Sequence, residues 1–179
     1  MSDIRLIEAA EARARIDELS AVLVDCVEGG ASVGFMSPYR LEDARPFWEA
    51  VIAAVAEDAT LLFIAEVEGE IVGTVQVGIR QMPNQLHRAD VKKLLVVERA
   101  RRLGLARALM SAAEEAAARR GKTVLVLDTA TGSPAEEVYA RLGWERVGVI
   151  PDYALYPDGR YCGTTLFYKR VGPVAMAAA

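Results

Sequence analysis

Hydrophobic positions change period several times along the chain, and each change marks an element. The run Asp3-Ile-Arg-Leu-Ile7 alternates like a short strand. Residues 8–28 carry Ile16, Leu19, Leu23 and Val27 at helical spacing, which predicts one helix burying those four. Three glycines and a proline between Glu28 and Tyr39 predict a loop. Residues 41–58 return to helical spacing, with Phe47, Val51, Ile52 and Val55 as the buried stripe. Pro46 suits a helix start better than an interior, which leaves the first turn open. Residues 60–68 and 70–80 read as strands joined at Gly69, a hairpin signal. Pro83 and Asn84 interrupt the pattern before another strand at 89–97. A helix at 103–120, a strand at 122–128 and a short helix follow, the last capped by Ser133 with Pro134 in its first turn. Strands at 144–150 and 163–171 close the pattern around a turn in 155–160. The order β-α-α-β-β-β-α-β-α-β-β predicts one α/β domain over 1–171, a mixed sheet covered by helices, with a frayed tail at 172–179.

Composition narrows what this domain can serve. The 179 residues suit one core, and much of the 53% apolar content is alanine. No apolar run is long enough to span a bilayer, and no basic region leads into an apolar stretch at the start. Neither a membrane partner nor a signal peptide is expected. Cys26 and Cys162 lack metal-ligand spacing and are expected as reduced, apolar fillers in a cytoplasmic protein. With 21 Lys+Arg against 25 Asp+Glu, the chain is acidic, and a nucleic-acid partner is not expected.

Against this acidic background, Arg99, Arg101, Arg102 and Arg107 cluster around Gly104, between a strand and a helix. A helix N-terminus exposes unpaired N–H groups and the positive end of the macrodipole. A glycine there lacks the Cβ that could obstruct a phosphate. A nucleotide P-loop would need Gly-Lys-Ser/Thr, whereas Gly104 precedes Leu105 and Ala106. A dinucleotide fingerprint would need three spaced glycines. Arg99, Arg119 and Arg120 read as solvated surface, the latter two suiting a helix C-terminus before Gly121.

What remains, Arg101-Arg102-Leu103-Gly104-Leu105-Ala106 between a hydrophobic strand and a helix, resembles the coenzyme A pyrophosphate loop of the GNAT acetyltransferase superfamily. Gly132-Ser-Pro-Ala135-Glu-Glu-Val-Tyr139-Ala-Arg-Leu-Gly143-Trp144 resembles the family's second motif at Ala135, Tyr139 and Gly143, with Gly132 at the usual asparagine and Trp144 at the usual phenylalanine. Segments 29–36, 83–96, 127–139 and 153–160 are further similar to the tabtoxin resistance proteins. The resemblance implies a mostly antiparallel sheet with helices on both faces, and direct acetyl transfer from acetyl-CoA to a small-molecule amine without a metal. It allows a homodimer. Coenzyme contacts are implied for Leu94, Leu95, Val96 and Val97 on the strand, for Arg101, Arg102, Leu103, Gly104, Leu105, Ala106 and Arg107 on the loop, and for Ser133 in place of the missing asparagine side chain.

The chemistry follows from what transfer requires. Charge on the carbonyl oxygen needs backbone N–H donors, here around Leu94–Val96. The departing thiolate needs a proton, a role the resemblance gives to Tyr139. The amine must lose one. Asp128, ending a strand where ligands gather in open α/β sheets, is one candidate base and Asp90 the other, with a water as the third option. Strict alternation sets Asp90, Lys92, Leu94 and Val96 on one face, with Val91, Lys93 and Leu95 on the other; Asp90 could simply pair with Lys92. His87, the sole histidine, is expected in solvent at a loop end, so a multi-histidine metal site is excluded. The segments 29–40 and 151–161 are the expected walls of the acceptor site, offering Tyr39, Tyr153, Tyr156, Phe35 and Met36. Acetylation of a protein N-terminus or lysine, and a non-catalytic acyl-CoA or toxin-binding module, stay open beside the small-molecule reading.

Overall fold

Glu68 and Gly69 both take positive φ, 54° and 85°, a turn whose twist suits a two-residue hairpin. Here β2 (Thr60–Val67) returns as β3 (Glu70–Gly78). The computed structural model describes residues 2–172. The expected tail, from residue 173 onward, lies outside the described residues. The remaining strands are β1 (Ser2–Leu6), β4 (Arg88–Val96), β5 (Val124–Ala130), β6 (Glu145–Leu155) and β7 (Tyr161–Arg170). They form one seven-stranded sheet in the order β1-β2-β3-β4-β5-β7-β6. All neighbours run antiparallel except β4 and β5, which are parallel.

Among the described residues five α-helices cover the sheet: α1 (Ala9–Ala14), α2 (Ile16–Glu28), α3 (Leu41–Ala56), α4 (Leu105–Arg119) and α5 (Pro134–Arg141). Residues 71–77 of β3 are all buried, so both faces of the sheet are covered there. The pairings define the faces. On one, Gly73 packs against Leu109 of α4, and the register carries that face through Val91 and Val96 to Leu127 and Phe167. Trp144, just after α5, donates to Glu114 of α4 at 2.8 Å, which sets α5 beside α4. On the other face the register carries Thr74, Gln76, Asp90, Val126 and Asp128, under α1–α3. A single buried cluster runs from Ile7 to Phe167.

Several elements depart from the alternation pattern. The helix expected over 8–28 breaks at Arg15 (φ −109°, ψ 22°) into α1 and α2. No glycine or proline marks the break. Instead the Arg15 side chain reaches across to Glu66 in β2 and the Gly69 carbonyl. Pro46 lies inside α3, beyond its first turn. It lacks the N–H that would reach the Glu42 carbonyl, but both residues are exposed, where water can serve that carbonyl. The start of α3 is fixed by Asp43, whose carboxylate accepts the Arg40 N–H at 3.0 Å. The buried stripe of α3 is Ala44, Trp48, Val51 and Ile52; Phe47 and Val55 are only half-buried, and Trp48 is fully enclosed. Strands β6 and β7 extend to Leu155 and Tyr161, leaving a tight turn over 156–160.

Candidate active site

Strands β4 and β5 pair only at Arg88–Val124, Ala89–Leu125 and Asp90–Val126, then separate. A β-bulge in β4 accompanies the separation. Thr74 faces Leu95 and Gln76 faces Lys92, so β4 carries one extra residue there, and Lys93 takes a φ of 54°. The bulge overturns the strict alternation expected for this strand. Leu95 now shares the α1–α3 face with Asp90 and Lys92, while Val96 turns to the α4 face with Val91. Beyond the bulge, Val97 donates to the Val72 carbonyl in β3. By alternation Leu95 also turns its amide to β3, and Leu94 and Val96 turn theirs into the gap left by β5.

At the far end of β4 the chain makes the arginine-rich turn and enters α4. No acceptor among the described residues takes the N–H groups of residues 102–107, so Arg102, Leu103, Gly104, Leu105, Ala106 and Arg107 present six unpaired amides at a helix start. Gly104 is the N-cap, with φ 79°. A Cβ there would meet no protein atom, so the left-handed backbone is what calls for glycine. Arg101 rests its Nε on the Val96 carbonyl at 3.3 Å. Arg102 and Arg107 are exposed and without a carboxylate partner among the described residues. Arg107 borders a shallow groove with Ser111, Glu114 and Lys169. The other arginines are occupied as surface residues: Arg99 pairs with Glu70 at 2.7 Å, Arg119 with Glu115 at 3.6 Å and Arg120 with Asp58 at 2.7 Å.

The two candidate bases share one sheet face and flank the point where the strands part, Asp90 opposite Val126 and Asp128 two residues beyond it. Asp90 sits at the paired end, bound by Arg88 at 2.9 Å and by Gln81 at 2.6 Å; its partner is Arg88 rather than Lys92. Asp128 sits at the open end, exposed to the gap, with Thr164 Oγ1 donating to it at 2.8 Å. Tyr139 approaches from the α4/α5 face. Its ring packs on Phe167 and Trp144 at centroid distances of 5.9 and 6.1 Å. Burial, then the Asp128 carboxylate, push its phenol well above the usual tyrosine range. Its hydroxyl makes no hydrogen bond among the described residues. Ser133 is the N-cap of α5 as expected, accepting the Glu136 N–H at 3.4 Å.

The loop over 29–40 crosses the α1–α3 side of the gap and meets the β6–β7 turn. Ser37 N–H donates to the Pro157 carbonyl at 3.2 Å, and Ser32 Oγ to the Leu155 carbonyl at 2.8 Å. Of the aromatic residues expected in these walls, Tyr39 is buried, stacked on Phe35 at 4.8 Å and bonded to the Asp43 carbonyl. Tyr156 reaches the Thr131 carbonyl at 3.5 Å, whereas Tyr153 and Met36 are exposed. Both cysteines are buried and free; burial pushes the Cys26 thiol up to about 11. His87 is exposed.

Sequence reasoning passed over Lys93. The bulge carries its side chain under this loop, where Nζ donates to the Val33 carbonyl. The ammonium lies 5.4 Å from the Phe35 ring centroid and 5.6 Å from that of Phe47. Burial pulls its pKa below the usual lysine value, Lys92 adds to the effect, and Asp128 opposes it. The only signal for it was a lysine pair that interrupts the apolar run of this strand.

A family model described as the acetyltransferase (GNAT) family matches residues 30–144. An N-alpha-acetyltransferase of Sulfurisphaera tokodaii is 33% identical over 106 residues, covering 54% of this chain and 62% of the relative. The chain thus spans about three fifths of the length of the curated relatives it matches. A putative acetyltransferase from Salmonella typhimurium, solved with its cofactor acetyl-CoA, superposes with a TM-score of 0.77 at 19% identity, covering 100% of this chain and 99% of the other. A phosphinothricin acetyltransferase from Sinorhizobium meliloti, solved with acetyl-CoA, gives 0.79 at 16% identity, covering 99% and 93%.

Proposed function

The chain belongs to the GNAT acetyltransferase family, and from that premise we propose that it moves an acetyl group from acetyl-CoA directly to the amine of a small molecule. The observation that carries this reading is the open end of the β4–β5 pair, with Asp128 on one sheet face and Tyr139 on the other. The six unpaired amides over 102–107, with Arg101, Arg102 and Arg107 around them, fit a pyrophosphate at the start of α4. Bound there, acetyl-CoA supplies an activated thioester.

The chain's own groups then divide the work. The acceptor enters from the α1–α3 side, and Asp128, held by Thr164, takes a proton from its ammonium. The freed amine forms a bond to the thioester carbon, and the N–H groups of Leu94 and Val96 stabilise the charge that develops on its oxygen. The carbon–sulfur bond breaks, Tyr139 donates its proton to the sulfur, and the second proton, shed by the nitrogen as the amide forms, restores the phenol. Two causes raise the Tyr139 phenol, burial first and the Asp128 charge second. Once Asp128 has taken the amine's proton, the second cause disappears and Tyr139 becomes the stronger acid at the moment of donation.

The proposed acceptor is a small compound of the toxin or antibiotic kind, in keeping with the resemblance of residues 29–36 and 153–160 to tabtoxin resistance proteins. The proposed reaction invokes no metal and takes place in the cytoplasm; no helix among the described residues is long and apolar enough to cross a membrane. A homodimer is proposed through edge strand β6, whose Val147, Ile150 and Tyr153 are exposed. A second reading, acetylation of a protein N-terminus, takes support from the name of the Sulfurisphaera relative. The bonds between the 29–40 loop and the β6–β7 turn narrow the acceptor side and favour the small molecule. Incubation with acetyl-CoA and a panel of small amines, with free thiol followed, tests the proposal. Acetyl-CoA binding without turnover of any amine, or turnover of peptide N-termini alone, would sink it.

A further inference from the structure

Lys93 is a half-buried cation that the transfer scheme leaves without a task. Its ammonium has three N–H bonds, and the Val33 carbonyl is the one hydrogen-bond acceptor among the described residues. The Phe35 and Phe47 rings flank it, and no carboxylate among the described residues pairs with it. Asp128 is its counterpart. That carboxylate takes one hydrogen bond, from Thr164 Oγ1 at 2.8 Å, and has no cation within pairing distance among the described residues. Elsewhere the chain pairs such groups freely, as at Arg15–Glu18, Arg88–Asp90 and Lys169–Glu114. Here it holds a cation and an anion beside the gap, near enough for Asp128 to act electrostatically on Lys93, yet unjoined.

We propose that Lys93 is a specificity-determining residue that binds a carboxylate on the acceptor. The substrate class is then amino acids and short amino-acid derivatives, whose ammonium meets Asp128 while the carboxylate meets Lys93. A zwitterion supplies both missing partners at once. An uncharged amine, or one with further positive charge, leaves Lys93 uncompensated or repelled. The positive φ at Lys93 belongs to the same device, because the bulge is what brings this side chain under the 29–40 loop. The inference rests on the acetyl-transfer reading for its choice of amine, but its test reads binding as well as turnover.

The protein, saturated with CoA, would be titrated calorimetrically with glycine, L-methionine, L-phenylalanine and γ-aminobutyrate, each against its own carboxamide. A charge-assisted pair with Lys93 should make at least one acid bind about tenfold tighter than its amide. Lys93→Gln should bring that ratio close to one, and Lys93→Arg should restore part of it. Absence of acid binding, equal affinity for acid and amide in the wild type, or a ratio that survives Lys93→Gln overturns the proposal. A purely structural Lys93 would weaken acid and amide alike, which also leaves the ratio unchanged. The same pairs tested with acetyl-CoA separate the two readings. Acids that bind preferentially but are never acetylated remove the transfer reading and leave this one standing. Amides acetylated as readily as acids do the reverse.

Discussion

The two ends of the β4–β5 pair use the same residue types to opposite effect. At the paired end Asp90 meets Arg88 and Gln81, Arg88 also meets Gln85, and Lys122 donates to the Ile79 and Leu86 carbonyls. Each of these three charges has a partner within the chain. At the open end Asp128 has a single hydroxyl, Lys93 a single carbonyl, and the Tyr139 hydroxyl no partner among the described residues. Satisfied charges at the first end hold strands together. Unsatisfied ones at the second fit the proposed acceptor site.

The sharpest way to break this comparison is to remove the proposed proton carriers at the open end. Asp128→Asn and Tyr139→Phe should each lower kcat by about 10²–10⁴-fold, the usual worth of a positioned acid or base. Acetyl-CoA affinity, measured by calorimetry, should change little. Near-normal turnover in either variant would mean that the gap is not where the proton moves.

Next in size is the proposed coenzyme turn. Gly104→Ala forces an L-residue into a φ of 79°, at a cost of about 1–2 kcal/mol. If the turn keeps its shape only when acetyl-CoA is bound, that cost appears as a roughly fivefold or greater loss of affinity. An unchanged dissociation constant with a lowered Tm would mean that Gly104 shapes the turn in the free protein as well.

The same substitution made at the closed end should read out differently. Asp90→Asn removes a pair whose carboxylate side chain is 41% exposed, so about 1 kcal/mol of stability and ~2–4 °C in Tm are at stake. Turnover should stay within about threefold, far below the effect expected of a catalytic base. A loss like that of Asp128→Asn would exchange the roles of the two ends.

How much of this was legible in the sequence depends on where the controlling interactions lie. The glycine turn before α4 and the α5 start were readable because local chemistry sets them: Gly104 supplies a left-handed φ, and Ser133 caps with its own hydroxyl. The hairpin at Gly69 was readable for the same reason. The break at Arg15 was not, because partners some fifty residues away, Glu66 and the Gly69 carbonyl, hold that side chain. Lys93 was hidden by the bulge. A period-two reading has no place for an extra residue, so it put Leu95 on the wrong face and gave Lys93 no site. The choice between Asp90 and Asp128 was equally closed to the sequence, since only the separation of β4 from β5 tells a paired carboxylate from a free one.

The smallest expected effect concerns a second closed end, at the opposite edge of the sheet. Glu66 accepts from Arg5 at 2.7 Å and also pairs with Arg15, which in turn bridges to Glu18. Hydrogen bonds from Arg5 above all hold the Glu66 carboxyl below its usual range, against a burial that pushes it up, and Arg15 does the same for Glu18. A carboxyl depressed in the folded state binds its proton more readily when unfolded. Its stabilisation is therefore complete above the unfolded-chain value near 4.5 and is lost as pH falls through the lower, folded value. Because these arginines are partly exposed, Glu66→Gln should cost about 0.5–1 kcal/mol at neutral pH and flatten the fall in Tm below pH 4.5. Acetylation rate per folded molecule should not move. A fall in Tm below pH 4.5 as steep in Glu66→Gln as in the wild type would remove Glu66 from the acid response.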